Sequence, residues 1–475
     1  MDVHRISTGV EELDKIIGGF PKGSLIVIAG NPGTGKTVFS ARFLYRGAVD
    51  HGENGVYVSF AENRETFYEN MRNFGFDFRS LEKEAKFRYL NLLTLKEHGI
   101  SSIFKVILEE VVEVKAKRLV IDSFSAITQA FEKPHDVRIL ISMILGRIIR
   151  RTGCTTLIVV EVPYGEGRMG LDIEEFVADG VLHFRARELE ERLFRDISIK
   201  KMRGTEVKEN KVGFTIKDGF KVFPSFKIKP VEKKGKFKPI PDQLGRFSTG
   251  SEDLDRLLDG GYVKGSTVLF EIGRNVSTAQ YHLVISPTPW NFLAKRAAVI
   301  VAPSSGVDYS IVWKRAAESG LPEELLNRHL RVCTFRPLAL KREPYVIEFE
   351  GKNIDEDFEV YLKVATRLRK ETNRPILNIV GIDRLLANYG TSDVLKILNS
   401  SATIIREYGD LGVFLLKPGY PRVSEILNAI VDVHFKIVRE HGALFIYGLK
   451  PRTRLNFLEM DVSKGYPLPK LTPVV

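Results

Sequence analysis

Gly30-Asn31-Pro32-Gly33-Thr34-Gly35-Lys36-Thr37 is entered from the apolar run Leu25-Ile26-Val27-Ile28-Ala29 and left through Val38-Phe39. The stretch fits G-x-x-x-x-G-K-[ST] and stands between a strand-like run and a helical one, the setting a phosphate-binding loop requires. Its glycines let the backbone curl so that successive N–H groups face inward, and the helix N-terminus that follows adds partial positive charge. Gly30 to Val38 is therefore the candidate ATP-binding segment. Lys36 is placed to neutralise the β- and γ-phosphates, and Thr37 to offer its hydroxyl to Mg2+.

Outward from this loop, apolar runs at Leu25–Ala29, Gly55–Phe60, Arg118–Asp122 and Thr155–Val160 alternate with amphipathic helical patterns. That alternation predicts a parallel sheet covered by helices on both faces. From Gly180 onward, short strand-like runs predict antiparallel strands at one edge. The run Leu119-Val120-Ile121 ends in Asp122, the carboxylate expected to hold Mg2+ together with Thr37. Ser123 follows, where many ATPases carry a second acid that activates water, so a general base must come from elsewhere. Glu62, just past the strand Gly55–Phe60, is the available base. Glu161, at the tip of Thr155–Val160, is a second polar group near the γ-phosphate.

The same unit is written twice. RISTGVEELD at 5–14 returns as RFSTGSEDLD at 246–255, Gly18-Gly19 as Gly260-Gly261, and Lys22-Gly23-Ser24 as Lys264-Gly265-Ser266. This spacing far exceeds the ~20–50 residues of a solenoid repeat and indicates duplicated domains. A Lys-rich, Pro-punctuated stretch precedes the second copy, so the expected organisation is a first domain at 1–226, a linker at 227–243 and a second domain at 244–475. Aligning Gly273 with Gly30 puts Arg274-Asn275-Val276-Ser277-Thr278-Ala279-Gln280 where the loop should continue. Its glycines and lysine are gone, so this half is not expected to bind ATP in the usual way.

With 44% hydrophobic and 28% charged residues among 475, the composition is that of a soluble globular protein. No segment offers the ~20 apolar residues of a membrane span, and the opening residues carry no basic-then-apolar pattern, so neither a membrane span nor an export signal is expected. Cys154 and Cys333 stand alone, outside any metal-binding spacing, and are expected to be reduced, buried residues of a cytoplasmic protein. The net charge of +11 suits a polyanionic partner such as nucleic acid, but part of it is local. Lys227, Lys229, Lys233, Lys234, Lys236 and Lys238 face only Glu232, the composition of a solvated linker.

Five stretches in order resemble the KaiC-like branch of the RecA-type ATPases. They are STG-x-x-x-LD with its Gly-Gly pair, the phosphate loop after Lys22-Gly23-Ser24, the strand ending Ile121-Asp122-Ser123, the run Glu174-Glu175-Phe176-Val177-Ala178-Asp179-Gly180, and Lys201-Met202-Arg203-Gly204-Thr205. The resemblance covers nearly the whole first half; the second half shares the opening and the domain plan. It implies an α/β fold of two RecA-like P-loop domains in tandem, each a mainly parallel central sheet flanked by helices. It also implies a homo-oligomer, in the family a hexameric ring, with ATP between neighbouring subunits. By the same resemblance Lys201 and Arg203 act in trans, because the family's Lys-x-Arg-Gly-Thr element reaches the γ-phosphate of a neighbour's ATP.

The departures from the family matter as much. KaiC-like domains usually carry two adjacent acids after the second strand; here Ala61 replaces the first and only Glu62 remains. That points to slow hydrolysis or to a site that binds ATP and holds it. In the second half an Asp persists at the end of a matching strand, Ile379-Val380-Gly381-Ile382-Asp383, and Lys450-Pro451-Arg452-Thr453 resembles the trans element. Asn428-Ala429-Ile430-Val431, before Asp432, contains no Ser or Thr, so a circadian autokinase is not expected. The leading expectation is an oligomeric slow ATPase or ATP-dependent switch with an unidentified protein partner. The alternatives are a RecA-type DNA-handling ATPase and a non-hydrolysing scaffold in which ATP is structural.

Overall fold

The computed structural model describes residues 4–92, 100–125, 149–163, 177–335 and 343–475. The chain divides into two compact units: Met1–Ser225 with His441–Ala443 and Pro473–Val475, and Phe226–Glu440 with Leu444–Thr472.

The strands of the first unit are β1 (Arg5–Ile6), β2 (Phe20–Pro21), β3 (Leu25–Gly30), β4 (Gly55–Ser59), β5 (Phe87–Asn91), β6 (Arg118–Asp122), β7 (Thr155–Glu161), β8 (Gly180–Leu189), β9 (Arg192–Met202), β10 (Lys211–Thr215) and β11 (Lys221–Phe223). Nine form one sheet in the order β11-β10-β9-β8-β3-β7-β6-β4-β5. From β8 to β5 every pair is parallel, and β9, β10 and β11 continue antiparallel at one edge. The pattern expected from the alternating runs and from the stretch after Gly180 is thus observed. All six residues of β3 are buried, as a central parallel strand covered on both faces requires. Ile26 and Ile28 pack with Phe39 and Phe43 of the helix Lys36–His51, while Leu25, Val27 and Ala29 face Ile103 and Ile107 of the helix Ile100–Glu113.

The second unit holds β12 (Arg246–Phe247), β13 (Tyr262–Val263), β14 (Thr267–Ile272), β15 (Val299–Ala302), β16 (Leu330–Phe335), β17 (Val346–Phe349), β18 (Leu377–Gly381), β19 (Leu411–Leu416), β20 (Val433–Glu440), β21 (Ala443–Lys450), β22 (Asn456–Asp461) and β23 (Leu468–Pro473). Its sheet, read from β23, runs β23-β22-β21-β20-β14-β19-β18-β15-β16-β17. This reproduces the first sheet strand for strand and adds β17 beyond the edge. Each unit is therefore a mainly parallel α/β sheet flanked by helices.

The repeated opening explains itself at atomic level. In the first unit Ser7 Oγ donates to Asp14 Oδ2 at 2.6 Å and the Thr8 N–H to Asp14 Oδ1 at 2.8 Å. In the second, Ser248 Oγ donates to Asp255 Oδ2 at 2.5 Å and the Thr249 N–H to Asp255 Oδ1 at 2.7 Å. Arg5 Nη1 reaches the carbonyls of Ile17 and Gly19, and Arg246 Nη1 those of Leu258 and Gly261. A Cβ on Gly19 would lie 2.4 Å from Ile6 O, and one on Gly261 2.2 Å from Phe247 O, so both positions must be glycine. A second knot is also duplicated. Asp179 Oδ2 accepts the Leu25 N–H at the foot of β3, and Asp432 Oδ2 the Thr267 N–H at the foot of β14. The retained sequence is the scaffold that begins each sheet.

The stretch 227–243, expected as a solvated linker, belongs to the second unit. Phe237 is buried with Trp290, Tyr466 and Leu468, and the Gly235 N–H donates to Gly465 O at 2.9 Å. One aromatic residue among the lysines is enough to fasten the segment down, because burying a Phe contributes about 1.5–3 kcal/mol.

Candidate functional site

The phosphate loop connects β3 to the helix Lys36–His51. Gly35 is the N-cap of that helix, at φ 94°, and no side chain caps it. The first N–H groups of the helix are thus left to face a ligand, which a Ser or Asp at this position would have claimed. Lys36 is 6% exposed and its Nζ donates to the carbonyls of Gly30 and Asn31, each at 2.8 Å. Burial pushes its ammonium below the usual lysine range, opposed by the nearby carboxylates of Glu161 and Asp122. Asn31 Nδ2 donates to Val162 O at 2.8 Å, tying the loop to the end of β7. Thr34 Oγ1 donates to Asn31 O, and Val38 is buried in the core beneath.

Thr37 Oγ1 donates to Asp122 Oδ2 at 2.8 Å, so the two residues expected to share Mg2+ lie side by side. Tyr57 Oη donates to the same oxygen from β4, and burial beside Asp122 raises the phenol well above its usual range. A hydroxyl and a carboxylate at this spacing, under an uncapped helix N-terminus and one lysine, fit a magnesium ion bridging nucleotide phosphates.

Glu62 follows β4. Its Oε1 accepts from Asn70 Nδ2 at 2.7 Å, and its backbone is held by Ser59 and Tyr89. Partial burial raises its carboxyl above the ordinary value, the Asn70 hydrogen bond opposes the rise, and Asp122 adds to it. Glu161 is the last residue of β7, in register with Gly30, with an exposed side chain and a backbone N–H held by Ser125 Oγ. Lys36, Thr37, Asp122, Glu62 and Glu161 are thus gathered around one end of the sheet.

Lys201 and Arg203 are not brought there. Met202 pairs with Gly180, and Gly180 with Ile26, four residues before Gly30. At ~3.3 Å per residue this places them roughly 13 Å or more from the loop, toward the opposite end of the sheet. Arg203 Nη1 instead pairs with Asp179 at 3.0 Å, and Arg5 Nη2 donates to the carbonyls of Arg203 and Gly204. Glu174 to Phe176, part of the resemblance, lie outside the described residues. Sequence reading missed Tyr57, Asn70 and Arg195, whose Nη1 donates to Gly33 O at 2.7 Å. None of the three belongs to a motif; only the folded sheet brings them to the loop.

In the second unit the corresponding end of the sheet is closed. The helix Thr278–Ile285 starts six residues after the end of β14, as Lys36 does after β3. Its N-terminus is sealed by a capping box in which Ser277 and Gln280 exchange side-chain to backbone hydrogen bonds. Strand register also corrects the expectation at Asp383. β18 pairs with β19 as β6 does with β7, and the residue in register with Asp122 is Gly381. A Cβ there would lie 2.3 Å from the Ser304 nitrogen, so no carboxylate fits. Asp383 lies in the following helix, where its Oδ2 accepts the Ser305 N–H at 2.9 Å.

Both cysteines are buried and free, and burial pushes the Cys154 thiol up to about 12. Among the described residues no cluster of three or more His, Cys, Asp or Glu is placed to hold a metal, and no helix is long and apolar enough to cross a membrane.

Comparison with known proteins agrees with this geometry. A family model of the KaiC ATPase matches residues 6–226, and one described as GvpD basic region 2 matches residues 236–312. A UPF0273 protein of Methanocaldococcus jannaschii is 32% identical over 244 residues, covering 47% of this chain and 98% of that protein. The circadian clock protein KaiC3 of Synechocystis is 32% identical over 281 residues, covering 56% of this chain. The chain spans about half of that relative's length, 53%. Protein GvpD1 of Halobacterium salinarum is 24% identical over 523 residues, covering 95% of this chain and 93% of that protein. With the phosphate loop, the Thr37–Asp122 pair and the sheet order around them, these matches show that the chain belongs to the KaiC-like RecA-type P-loop ATPases.

Proposed function

We propose that the protein is an ATP-dependent switch that hydrolyses ATP slowly at its first unit alone and works as a homo-oligomer. The observation that carries this reading is the contrast between two helix N-termini at matching places, one uncapped beside Lys36 and one sealed by Ser277 and Gln280. Bound Mg·ATP would supply the γ-phosphate and a Lewis acid that draws charge from it. Lys36 and the N–H groups after Gly35 hold the phosphates, and Thr37 with Asp122 hold the metal. Glu62 takes the proton from water once it leaves Asn70, and its raised carboxyl pKa brings it closer to the range of a working base. Ala61 offers no second carboxylate, which supports slow turnover.

Lys201 and Arg203 lie too far along the sheet to serve their own chain's loop, which supports action on a neighbouring subunit's nucleotide. Light scattering with and without Mg·ATP tests the assembly: the mass is expected to rise with nucleotide, and an unchanged monomer would remove the trans roles. The second reading, a non-hydrolysing scaffold, is favoured by the hydrogen bond that occupies Glu62. Single-turnover assays on wild type, Lys36→Met and Glu62→Ala separate the two, since equal background rates in all three would establish the scaffold.

A further inference from the structure

Arg195, on β9, holds two carbonyls on one guanidinium group. Its Nη1 donates to Gly33 O at 2.7 Å and its Nε to Val475 O at 2.8 Å. Val475 in turn is part of a docked segment. Thr215 Oγ1, on β10, donates to Pro473 O at 2.9 Å and accepts the Val475 N–H at 3.3 Å, while the Val474 side chain is buried. Pro473–Val475 leave β23 and belong to the first unit, so these contacts lie within one compact body. The nucleotide chemistry of the site uses none of them.

Gly33 is the part of the phosphate loop that most needs support. Asn31 is tied to the end of β7, Thr34 Oγ1 closes on Asn31 O, and Lys36 Nζ spans Gly30 O and Asn31 O. Gly33, between them, is exposed at φ 74°, and among the described residues a Cβ there would meet nothing within 4 Å. An unpacked glycine has the most backbone freedom to lose when a ligand orders the loop. A donor fixed on its carbonyl does part of that ordering before the ligand arrives. Arg195 takes a carbonyl and so competes with none of the loop N–H groups that phosphate requires. A loose arginine would give up its own rotamer freedom to hold Gly33, but the bond to Val475 O has already fixed it.

We propose that Arg195 is a positioning residue for the phosphate loop and that residues 473–475 are the strap that sets it, so that docking of this segment and nucleotide binding strengthen each other. The inference rests on ATP binding at Gly30–Thr37. The coupling is reciprocal, since a segment that raises affinity for nucleotide is itself held more firmly once nucleotide is bound. Losing the strap leaves every residue of the loop in place and makes the loop a poorer receptor.

Calorimetric titration with Mg·ATP and with Mg·tripolyphosphate tests this on the full chain, on Arg195→Gln, on a deletion of residues 473–475 and on the two combined. Arg195→Gln and the deletion are each expected to raise Kd about fivefold for both ligands. The combination is expected to add nothing to either alone, because the segment acts through the arginine. Thr215→Val keeps the chain whole, removes the hydroxyl that grips Pro473 and Val475, and should weaken both ligands in the same direction. Unchanged affinity in both the deletion and Thr215→Val, with a lowered Tm, would make the segment a support for the fold alone and overturn the proposal. So would fully additive losses, or a loss for ATP that tripolyphosphate does not share, which would put the segment against the nucleoside and not behind Gly33. Failure of the wild type to bind Mg·ATP would overturn the nucleotide site and the strap with it, whereas wild-type binding untouched by these variants overturns the strap alone.

Discussion

Replacing Lys36 by Met separates what this lysine does for ATP from what it does for the fold. Methionine keeps a long, flexible stem in a position that is 6% exposed, so the buried volume is nearly preserved. The lost ammonium donates to Gly30 O and Asn31 O, but neither carbonyl is orphaned: Gly30 O still accepts the Val162 N–H at 3.0 Å, and Asn31 O still accepts Thr34 Oγ1 at 2.8 Å. Burial also lowers the ammonium pKa, which means that folding penalises the charged form the substitution removes. Stability without nucleotide is therefore expected to change by less than about 1 kcal/mol, a shift of about 2–4 °C in Tm for a unit of this size. Binding loses two charge-assisted contacts to phosphate at about 1.5 kcal/mol each, on the order of a 100-fold rise in Kd. Calorimetric titration with Mg·ATP and thermal melts of the free protein measure the two quantities. A Kd within threefold of wild type would refute the placement of the phosphates. A Tm loss above ~10 °C would show that the lysine is a structural strut.

Three further outcomes are expected. Asp14→Ala and Asp255→Ala each remove two hydrogen bonds to a carboxylate at the start of a sheet, and each should cost its unit about 3 kcal/mol by denaturant titration; a difference of more than twofold would break the equivalence of the knots. Asn70→Ala frees the Glu62 carboxylate and should raise single-turnover hydrolysis several-fold, whereas a lower rate would mean that Asn70 positions the base. Because the folded pKa of Glu62 is raised above 4.5, the folded state binds more protons just above that pH, so this group's contribution falls as pH rises through the folded pKa. Melts of wild type and Glu62→Gln across pH 4 to 7 should differ by that slope, and parallel curves would deny it.

The loop and four central strands were legible because each is a long apolar run joined to a motif whose chemistry demands its setting. β5, Phe87-Arg88-Tyr89-Leu90-Asn91, was not, since an edge strand mixes charged and apolar residues and lacks the all-buried signature of β3. Asp383 shows a different limit. Its distance from the apolar run suggests equivalence with Asp122, but whether a residue ends a strand or begins a helix decides where its carboxylate goes, and pairing with β19 settles that. Ser277-x-x-Gln280 carries a capping-box signature in plain view. The burial of Phe237 within a lysine-rich stretch depends on Trp290 and Tyr466, partners about 50 and 230 residues away that no local reading brings together.

The sealed helix of the second unit has a consequence for how the molecule experiences the cell. A protein half that binds ligand gains stability as RT ln(1 + [L]/Kd), so the first unit is expected to firm up and loosen with the energy charge around it. The helix at Thr278 carries its own counter-groups, and its half should melt at one temperature whatever the ATP supply. Starvation would then loosen one half of the chain and leave the other as a fixed reference.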